Sequence, residues 1–188
     1  MIVGKYIGKI ESKSNFLKIV CGLLGHLDLH TQIRTKPIIK YIKKNKRSFE
    51  NKNIIEIGCS KGNNCFEIYF ASVKAKILGF DFNCEEIKRA NEILNKFGIV
   101  KNIQFFCADA TKYDYSTIGK VDYVLLIDFI EHINEPEKFI ESLKTILNEE
   151  SEIIVSVPTY LYKKVFGNNF HLRVGHVKDG YNLEELNK

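Results

Sequence analysis

The sequence has little tryptophan, methionine and proline, and it lacks the cysteine pattern of cross-linked or zinc-stabilised domains. Its 188 residues include no tryptophan, one methionine and three prolines, and its five cysteines form no Cys-x-x-Cys pair. An odd number of scattered cysteines argues against a disulfide scaffold and against a structural zinc site, and such thiols are usually buried and reduced. We therefore expect a cytoplasmic protein that holds no metal ion.

Linkers, repeats and membrane-spanning segments are also lacking. No Pro- or Gly-rich linker or internal repeat interrupts the chain, so its length favours a single domain. The longest apolar stretch, Phe16 to Leu29, is interrupted by Lys18 and Asp28 and is too short to cross a bilayer. Its apolar residues recur at helical spacing, which predicts an amphipathic helix packed on the domain. A helix lying on a membrane surface is the alternative.

The charge balance favours anionic partners only weakly. The formal net charge is +5, which is too small for a nucleic-acid signature, so no nucleic-acid partner is expected. Much of the positive charge lies between Lys36 and Arg47. We interpret this run as the exposed face of an N-terminal helix. A patch for a phosphate-bearing or lipid-linked substrate is the other interpretation.

From Asn53 onward, short apolar runs alternate with amphipathic segments. The predicted strands are Asn53–Ile57, Lys76–Phe80, Asn102–Phe106, Val121–Ile127 and Glu152–Val157. The helices predicted between them are Asn63–Ser72, Asn83–Phe97 and Pro136–Leu147. This alternation is typical of an α/β fold, here a Rossmann-like, doubly wound, mainly parallel sheet with helices on both faces. Two earlier helices, about Ser14–Leu27 and Ile33–Lys46, would make residues 1–50 a helical cap on the core, residues 51–188, within one domain.

The residues that follow the strands are the candidates for chemistry, because ligands of such sheets bind at the carboxyl ends of the strands. The first strand runs into Glu56-Ile57-Gly58-Cys59-Ser60-Lys61-Gly62, where the glycines let a ligand approach the backbone. The loop lacks the Gly-x-Gly-x-x-Gly pattern, which disfavours a pyrophosphate but allows an adenosyl ligand. Asp81 ends the second strand about 20 residues later and can accept both ribose hydroxyls. A plain helix N-terminal acid is the alternative.

Further candidates follow the later strands. After the third strand, Asp109 and Ala110 can read an adenine ring through a carboxylate and a backbone amide. Phe82 could stack on the base, or it could simply pack in the core. After the fourth strand, Asp128 and His132 would overlie the reactive end of the ligand. His132 is the candidate general base, with a supporting hydrogen bond as the alternative.

The ordered set of these motifs resembles the class I S-adenosylmethionine-dependent methyltransferases, in particular the small-molecule branch that includes the ubiquinone-biosynthesis type. The resemblance covers roughly residues 52–158. It implies S-adenosyl-L-methionine as the cofactor. The implied contacts are Glu56, Gly58, Ser60 and Gly62 at its amino-acid and ribose end, Asp81 at the ribose, Phe82, Asp109 and Ala110 at the adenine, and Asp128 near the methionine part. The family more often has glycine at the position of Ser60, and serine would tighten the loop.

The C-terminal part resembles this family less completely. It is similar to a lid over the substrate in some of these enzymes, which implies that His171, His176 and Tyr181 lie on the substrate side. A solvated turn is the alternative. The family usually continues past the fifth strand with a helix and an antiparallel strand pair, for which the residues after Val157 leave little room. We therefore expect an incomplete C-terminal end, with truncation of the chain as one interpretation, whose fifth-strand edge a homodimer or the tail could cover.

The resulting functional prediction is methyl transfer by in-line displacement to a small-molecule or lipid-linked acceptor. Since the sulfonium methyl is already activated, alignment is the main requirement. His132 and Asp128 are the predicted catalytic residues.

Three alternatives stay open. One is a non-catalytic methyltransferase-like binding module, and another is a nicotinamide-dependent oxidoreductase. The third is a hydrolase, because Gly58-Cys59-Ser60-Lys61-Gly62 matches Gly-x-Ser-x-Gly. Asp128 and then His171 or His176 follow in the order that such a triad requires.

Overall fold

Five parallel strands form one sheet in the computed structural model, which describes residues 14–15, 29–71, 75–98, 101–162, 175–178 and 180–186. The strands are β1 (Asn53–Ile57), β2 (Lys76–Asp81), β3 (Ile103–Cys107), β4 (Tyr123–Ile127) and β5 (Glu152–Ser156). Their order is β3-β2-β1-β4-β5, and every neighbouring pair is parallel. The predicted α/β fold with a mainly parallel sheet is confirmed.

Helices precede, connect and follow the strands. They are α1 (Leu29–Lys44), α2 (Lys46–Phe49), α3 (Asn63–Ala71), α4 (Cys84–Phe97), α5 (Pro136–Leu143) and α6 (Leu183–Leu186). Three 3-10 turns are formed by Tyr115–Thr117, Ile130–His132 and Tyr160–Tyr162. The helix predicted for residues 14–27 lies almost wholly outside the described residues. The predicted limits of α5 and β4 were too wide, because the apolar residues beside them are buried in loops.

The order of the strands places the ends of β1 and β4 at the centre of the sheet. The chain builds β1, β2 and β3 outward in one direction and then returns to place β4 on the other side of β1. Ligands of such sheets bind at this switch point, beyond the carboxyl ends of the strands. The loops that follow β1, β2, β3 and β4 therefore meet at one edge, which is where Asp81, Asp109 and Asp128 lie.

Both faces of the sheet are covered by apolar side chains. One face packs against α1, α3 and α4, with Ile54, Ile77 and Leu125 contributed by the strands. The opposite face packs against α5 and the loops around Tyr115, and includes Ile55 and Leu126. Alternate strand residues thus point to opposite layers, as the period of two requires.

Helix α1 is amphipathic and belongs to the first of these layers. Ile38, Ile39 and Ile42 are buried, whereas Lys36 and Lys40 are exposed. These lysines thus lie on an exposed helix face, as the first interpretation of the basic run expected. The helix begins earlier than predicted, because its first turns carry polar residues that give no apolar period.

Phe105 of β3 wedges against two glycines. A Cβ at Gly79 would come within 2.6 Å of Phe105 Cδ1, and a Cβ at Gly62 would clash with Phe105 Cζ. Both approaches are far closer than van der Waals contact. Gly79 in β2 and Gly62 before α3 are therefore required by packing, independently of any ligand.

The expectation that all cysteines are buried and reduced was wrong. Cys84, the first residue of α4, forms a disulfide with Cys107, the last residue of β3, and both positions are exposed. The sheet register pairs Asp81 with Cys107, which brings the two cysteine Cα atoms to 5.1 Å although they are distant in sequence. Cys59 and Cys65 remain buried thiols. The fifth cysteine lies outside the described residues.

None of the helices in the described residues is both long and apolar enough to cross a membrane.

The packing around Phe105 predicts that Gly79→Ala destabilises the protein. The added methyl group overpacks the layer, and we expect the free energy of unfolding to fall by about 1–3 kcal/mol in urea denaturation. Phe105→Leu should relieve part of this clash. The double variant should therefore lose less free energy of unfolding than the sum of the two single losses. Additive losses would contradict the close contact between Phe105 and Gly79.

Candidate functional site

The loop after β1 has a backbone conformation that favours glycine. Gly58, Ser60 and Gly62 have φ values of 77°, 47° and 78°, all in the left-handed region. The amides of Gly58 and Cys59 both donate to the Phe80 carbonyl, at 2.8 and 2.9 Å, which anchors the loop to β2. A serine in this region costs about 1–2 kcal/mol relative to glycine. This conformation explains in physical terms why glycine is the more usual residue at the position of Ser60.

Asp81 joins this loop to the start of α4. Its Oδ2 accepts a hydrogen bond from the Ser60 amide at 2.7 Å, and its Oδ1 accepts one from the Asn83 amide at 2.8 Å. Asp81 is not the cap of α4, because the Asn83 side chain accepts from the Glu85 and Glu86 amides. Each carboxylate oxygen keeps a second lone pair that can accept a hydroxyl donor.

Phe82 is exposed rather than packed in the core. Its side chain is 80% accessible, although it directly follows strand β2. A phenyl ring left in water loses the free energy that burial would provide. The core-packing alternative for Phe82 is therefore wrong, and the ring is available to a planar ligand group.

Asp109 and Ala110 begin the loop after β3. Asp109 is exposed and accepts hydrogen bonds from the Thr111 amide and hydroxyl, and its Oδ2 lies 2.8 Å from Lys112 Nζ. The bonds from Lys112 and Thr111 lower the pKa of Asp109 to about 2. Ala110 is buried, and its carbonyl accepts from the Tyr115 hydroxyl at 2.9 Å. Asp109 thus has local partners that were not expected from the sequence.

Glu56 is buried in β1 and held by helix α3. Asn64 Nδ2 and Cys65 Sγ each donate to one of its carboxylate oxygens, both at 2.8 Å. Burial raises the pKa of Glu56 to about 7, against the lowering effect of these two hydrogen bonds. The Thr35 hydroxyl of α1 donates to Asn64 Oδ1 at 2.8 Å, which extends the chain of hydrogen bonds to the N-terminal helix. Sequence reasoning missed Thr35, Asn64 and Cys65, because none of them belongs to a motif.

Asp128 follows β4 in a left-handed conformation. Its φ is 51°, and its amide donates to the Ser156 carbonyl of β5 at 2.8 Å. The next residue, Phe129, lies against the first loop, since a Cβ on Gly58 would come within 2.9 Å of Phe129 Cδ2. The structure therefore brings the loops after β1 and β4 into contact. Phe129 was not identified from the sequence.

His132 and His176 come together beyond β4. Their ring centroids are 4.7 Å apart, and His132 Nδ1 lies 3.0 Å from the Gly175 carbonyl oxygen. Tyr181 is buried and donates to the Ile130 carbonyl at 3.2 Å, so it ties the tail to the turn that contains His132. His171 lies outside the described residues.

The Ser60 hydroxyl does not form the pair that a hydrolase needs. It donates to Glu86 Oε2 at 3.2 Å, so it is directed at an acid and not at a histidine. A nucleophile–base pair requires the two side chains to lie within hydrogen-bonding distance. The arrangement instead offers carboxylates, loop amides and an exposed aromatic ring around an open sheet edge.

Comparisons with known proteins agree with this geometry. A family model described as a methyltransferase domain matches residues 48–184. The norajmaline N-methyltransferase of Rauvolfia serpentina is 30% identical over 104 residues, which are 55% of this chain and 35% of that protein. The protein-lysine N-methyltransferase EFM4 of Saccharomyces cerevisiae is 32% identical over 79 residues, or 42% of this chain and 34% of that protein. The chain spans about a third of the length of these curated relatives.

Solved structures support the fold. The MccD protein superposes with a TM-score of 0.64 and 16% identity, over 79% of this chain and 65% of that chain. Coclaurine N-methyltransferase bound to N-methylheliamine and SAH gives a TM-score of 0.58 and 11% identity, over 65% of this chain and 35% of that chain. At these identities the likeness shows the fold alone.

The environment of Glu56 predicts a specific dependence of stability on pH. With a pKa of about 7 in the folded state and an ordinary value of 4.5, the folded protein binds a proton more tightly than the unfolded chain. This contribution to stability is complete below the ordinary value and is lost as the pH rises through 7. Denaturation across this window should show a loss on the order of 3 kcal/mol that Glu56→Gln lacks. If stability changes with pH in the same way in the wild type and in Glu56→Gln, Glu56 does not have the raised pKa.

Proposed function

Because the chain belongs to the methyltransferase-domain family, we propose that it transfers a methyl group from S-adenosyl-L-methionine to a small-molecule or lipid-linked acceptor. The observation that carries the proposal is Asp81, whose carboxylate lies against the Ser60 amide of the glycine loop. The exposed Phe82 ring directly follows it. Asp81 would bind the ribose and Phe82 would stack on the adenine. Both residues lie next to the glycine loop, whose backbone a ligand could approach closely.

The residues around the loop have distinct proposed roles. Glu56, Gly58, Ser60 and Gly62 would line the amino-acid and ribose end of the cofactor, and Asp128 would lie near its methionine part. Asp109 and Ala110 would hold the adenine. In that role Asp109 would exchange its contact with the exposed Lys112 for an adenine amino group. Such an exchange is inexpensive, because an exposed ion pair contributes little to stability.

The chemistry places few demands on the protein. When bound, S-adenosyl-L-methionine supplies an activated methyl group, and the protein must hold the acceptor in line with it. His132 is exposed and follows β4, so it can receive a proton from an acceptor that must lose one. His176, His171 and Tyr181 are proposed for the acceptor side. Tyr181 would act by positioning the tail, since its hydroxyl is occupied by the Ile130 carbonyl.

The acceptor and the cellular setting are also proposals. Several similar proteins are named as N-methyltransferases, which favours a nitrogen acceptor. A cytoplasmic location is compatible with the buried thiols of Cys59 and Cys65, and an exposed disulfide there would be reversible. β5 forms one edge of the five-stranded sheet, and we propose that a second copy of the chain covers it.

Asp81 provides the direct test of the cofactor site. Titration calorimetry with S-adenosylhomocysteine should show that Asp81→Asn weakens binding at least tenfold, or about 1.4 kcal/mol, because the amide accepts fewer hydroxyl donors. Asp114→Asn is the matched control, since Asp114 also accepts from a backbone amide but belongs to another turn. Equal affinity in the wild type and the Asp81 variant would remove Asp81 from the ribose role.

Phe82 gives a second, independent test. Phe82→Ala should weaken S-adenosylhomocysteine binding severalfold by removing the stacking ring, whereas Phe82→Tyr should preserve affinity. Because the ring is 80% exposed, the thermal midpoint without ligand should change little in either variant. Unchanged affinity in Phe82→Ala would exclude the ring from the adenine pocket.

A further inference from the structure

Three side chains with metal-binding atoms converge beyond β4. Glu131 and His132 lie in the 3-10 turn, and His176 lies in the tail. One potential ligand atom from each lies within 4.8 Å of the other two. His176 Nε2 is 4.0 Å from Glu131 Oε1. Within the described part of the chain, this is the group of histidine, cysteine and carboxylate side chains that converges closely enough to hold an ion.

The backbone holds the two segments together without help from these side chains. The amide of Val177 donates to the Glu131 carbonyl at 2.8 Å, and the amide of Lys178 lies 3.4 Å from the same oxygen. The Tyr181 hydroxyl adds its bond to the Ile130 carbonyl. The cluster is therefore preorganised, so an ion would not have to pay for bringing the tail to the turn.

The orientation of His132 matches that of a metal ligand. The Gly175 carbonyl can only accept, so Nδ1 of His132 must carry the proton and donate to it at 3.0 Å. This leaves Nε2 with its lone pair. Ligating histidines typically donate their other ring N–H to a backbone carbonyl or a carboxylate in this way.

Burial gives the carboxylate a reason to bind a cation. Glu131 is fully buried and His176 is 7% exposed, whereas His132 is exposed. A carboxylate shielded from water attracts a cation more strongly than an exposed carboxylate does. The His132 side of the cluster gives an ion a route from solvent.

We propose that Glu131, His132 and His176 form a binding site for a divalent transition-metal ion. Two imidazole nitrogens and one carboxylate suit zinc, manganese, iron or cobalt better than magnesium or calcium, which prefer oxygen ligands. Zinc bound by two histidines and one glutamate keeps a fourth position open. The site departs from the sequence expectation of no metal, because Glu131 and His176 meet only in the folded chain.

The use of such an ion, unlike its binding, rests on the proposed methyl transfer. The turn follows Phe129, which contacts Gly58 of the glycine loop, so the cluster lies next to the proposed cofactor site. A heteroatom of the acceptor could occupy the open position, where the ion would lower its pKa, and its proton would pass to solvent water on the exposed His132 side of the cluster. His132 would then be a ligand instead of the general base.

Zinc titration of the chelator-treated full chain tests the site without cofactor or acceptor. Calorimetry should show one ion per chain, and His132→Ala should weaken binding at least tenfold. His132 is exposed, so this variant should fold normally. Glu131→Gln, which keeps the size of the side chain and removes its charge, should weaken binding similarly. Glu149→Gln, at an exposed carboxylate in the turn before β5, is the matched control and should bind zinc as the wild type does.

The outcomes separate this proposal from the cofactor site. Absence of zinc binding would leave Glu131 and His176 as a contact within the protein and would overturn the proposal. Zinc binding that persists unchanged in His132→Ala would place the ion elsewhere, for example on the buried thiols, and would also overturn it. S-adenosylhomocysteine affinity, measured on the same variants without metal, reports on the cofactor site alone.

Discussion

The candidate site depends on one carboxylate that holds two loops together. Asp81 accepts the Ser60 amide with one oxygen and the Asn83 amide with the other. Two charge-assisted hydrogen bonds of this kind are worth roughly 1.5–3 kcal/mol each. They keep Ser60 in its left-handed conformation and set the start of α4. The conformation of the proposed ligand-binding loop is therefore set by the end of β2 as much as by the glycines of the loop.

Packing beneath the loop imposes the second constraint. Phe105 fills the space left by Gly62 and Gly79, while Phe129 fills the space beside Gly58. The three glycines thus admit neighbouring aromatic rings, and the left-handed φ values of Gly58 and Gly62 add a conformational reason at two of them. Packing and backbone conformation therefore explain Gly58 and Gly62 separately from their proposed role in ligand binding.

Local patterns in the sequence were enough to predict the sheet and its loops. The strand β1, the Asn83 cap of α4 and the position of Asp81 all follow from short-range signals, namely apolar runs, capping chemistry and strand ends. What could not be predicted depends on register and tertiary contact. The Cys84–Cys107 disulfide requires the pairing of β2 with β3.

Glu56, Glu131 and Phe82 also have properties that depend on tertiary contacts and could not be predicted from local patterns. Glu56 is a strand residue in a recognisable motif, yet its raised pKa comes from burial beneath α3, which no local pattern encodes. Glu131 was passed over because only the adjacent histidine suggested chemistry, and His176 is far away in sequence. Phe82 was ambiguous for a related reason, because an aromatic residue at a strand end is equally compatible with burial and with exposure.

The hydrogen bonds that run from Thr35 through Asn64 to Glu56 link the N-terminal helix to the first strand of the sheet. Linkage between two sites is reciprocal, so any ligand that changes the charge or position of Glu56 must also change how firmly α1 docks. Conversely, a protein or surface that pulled α1 away would alter ligand affinity by the same factor. A helix that contributes no predicted contact to the site would in this way act as an effector of it.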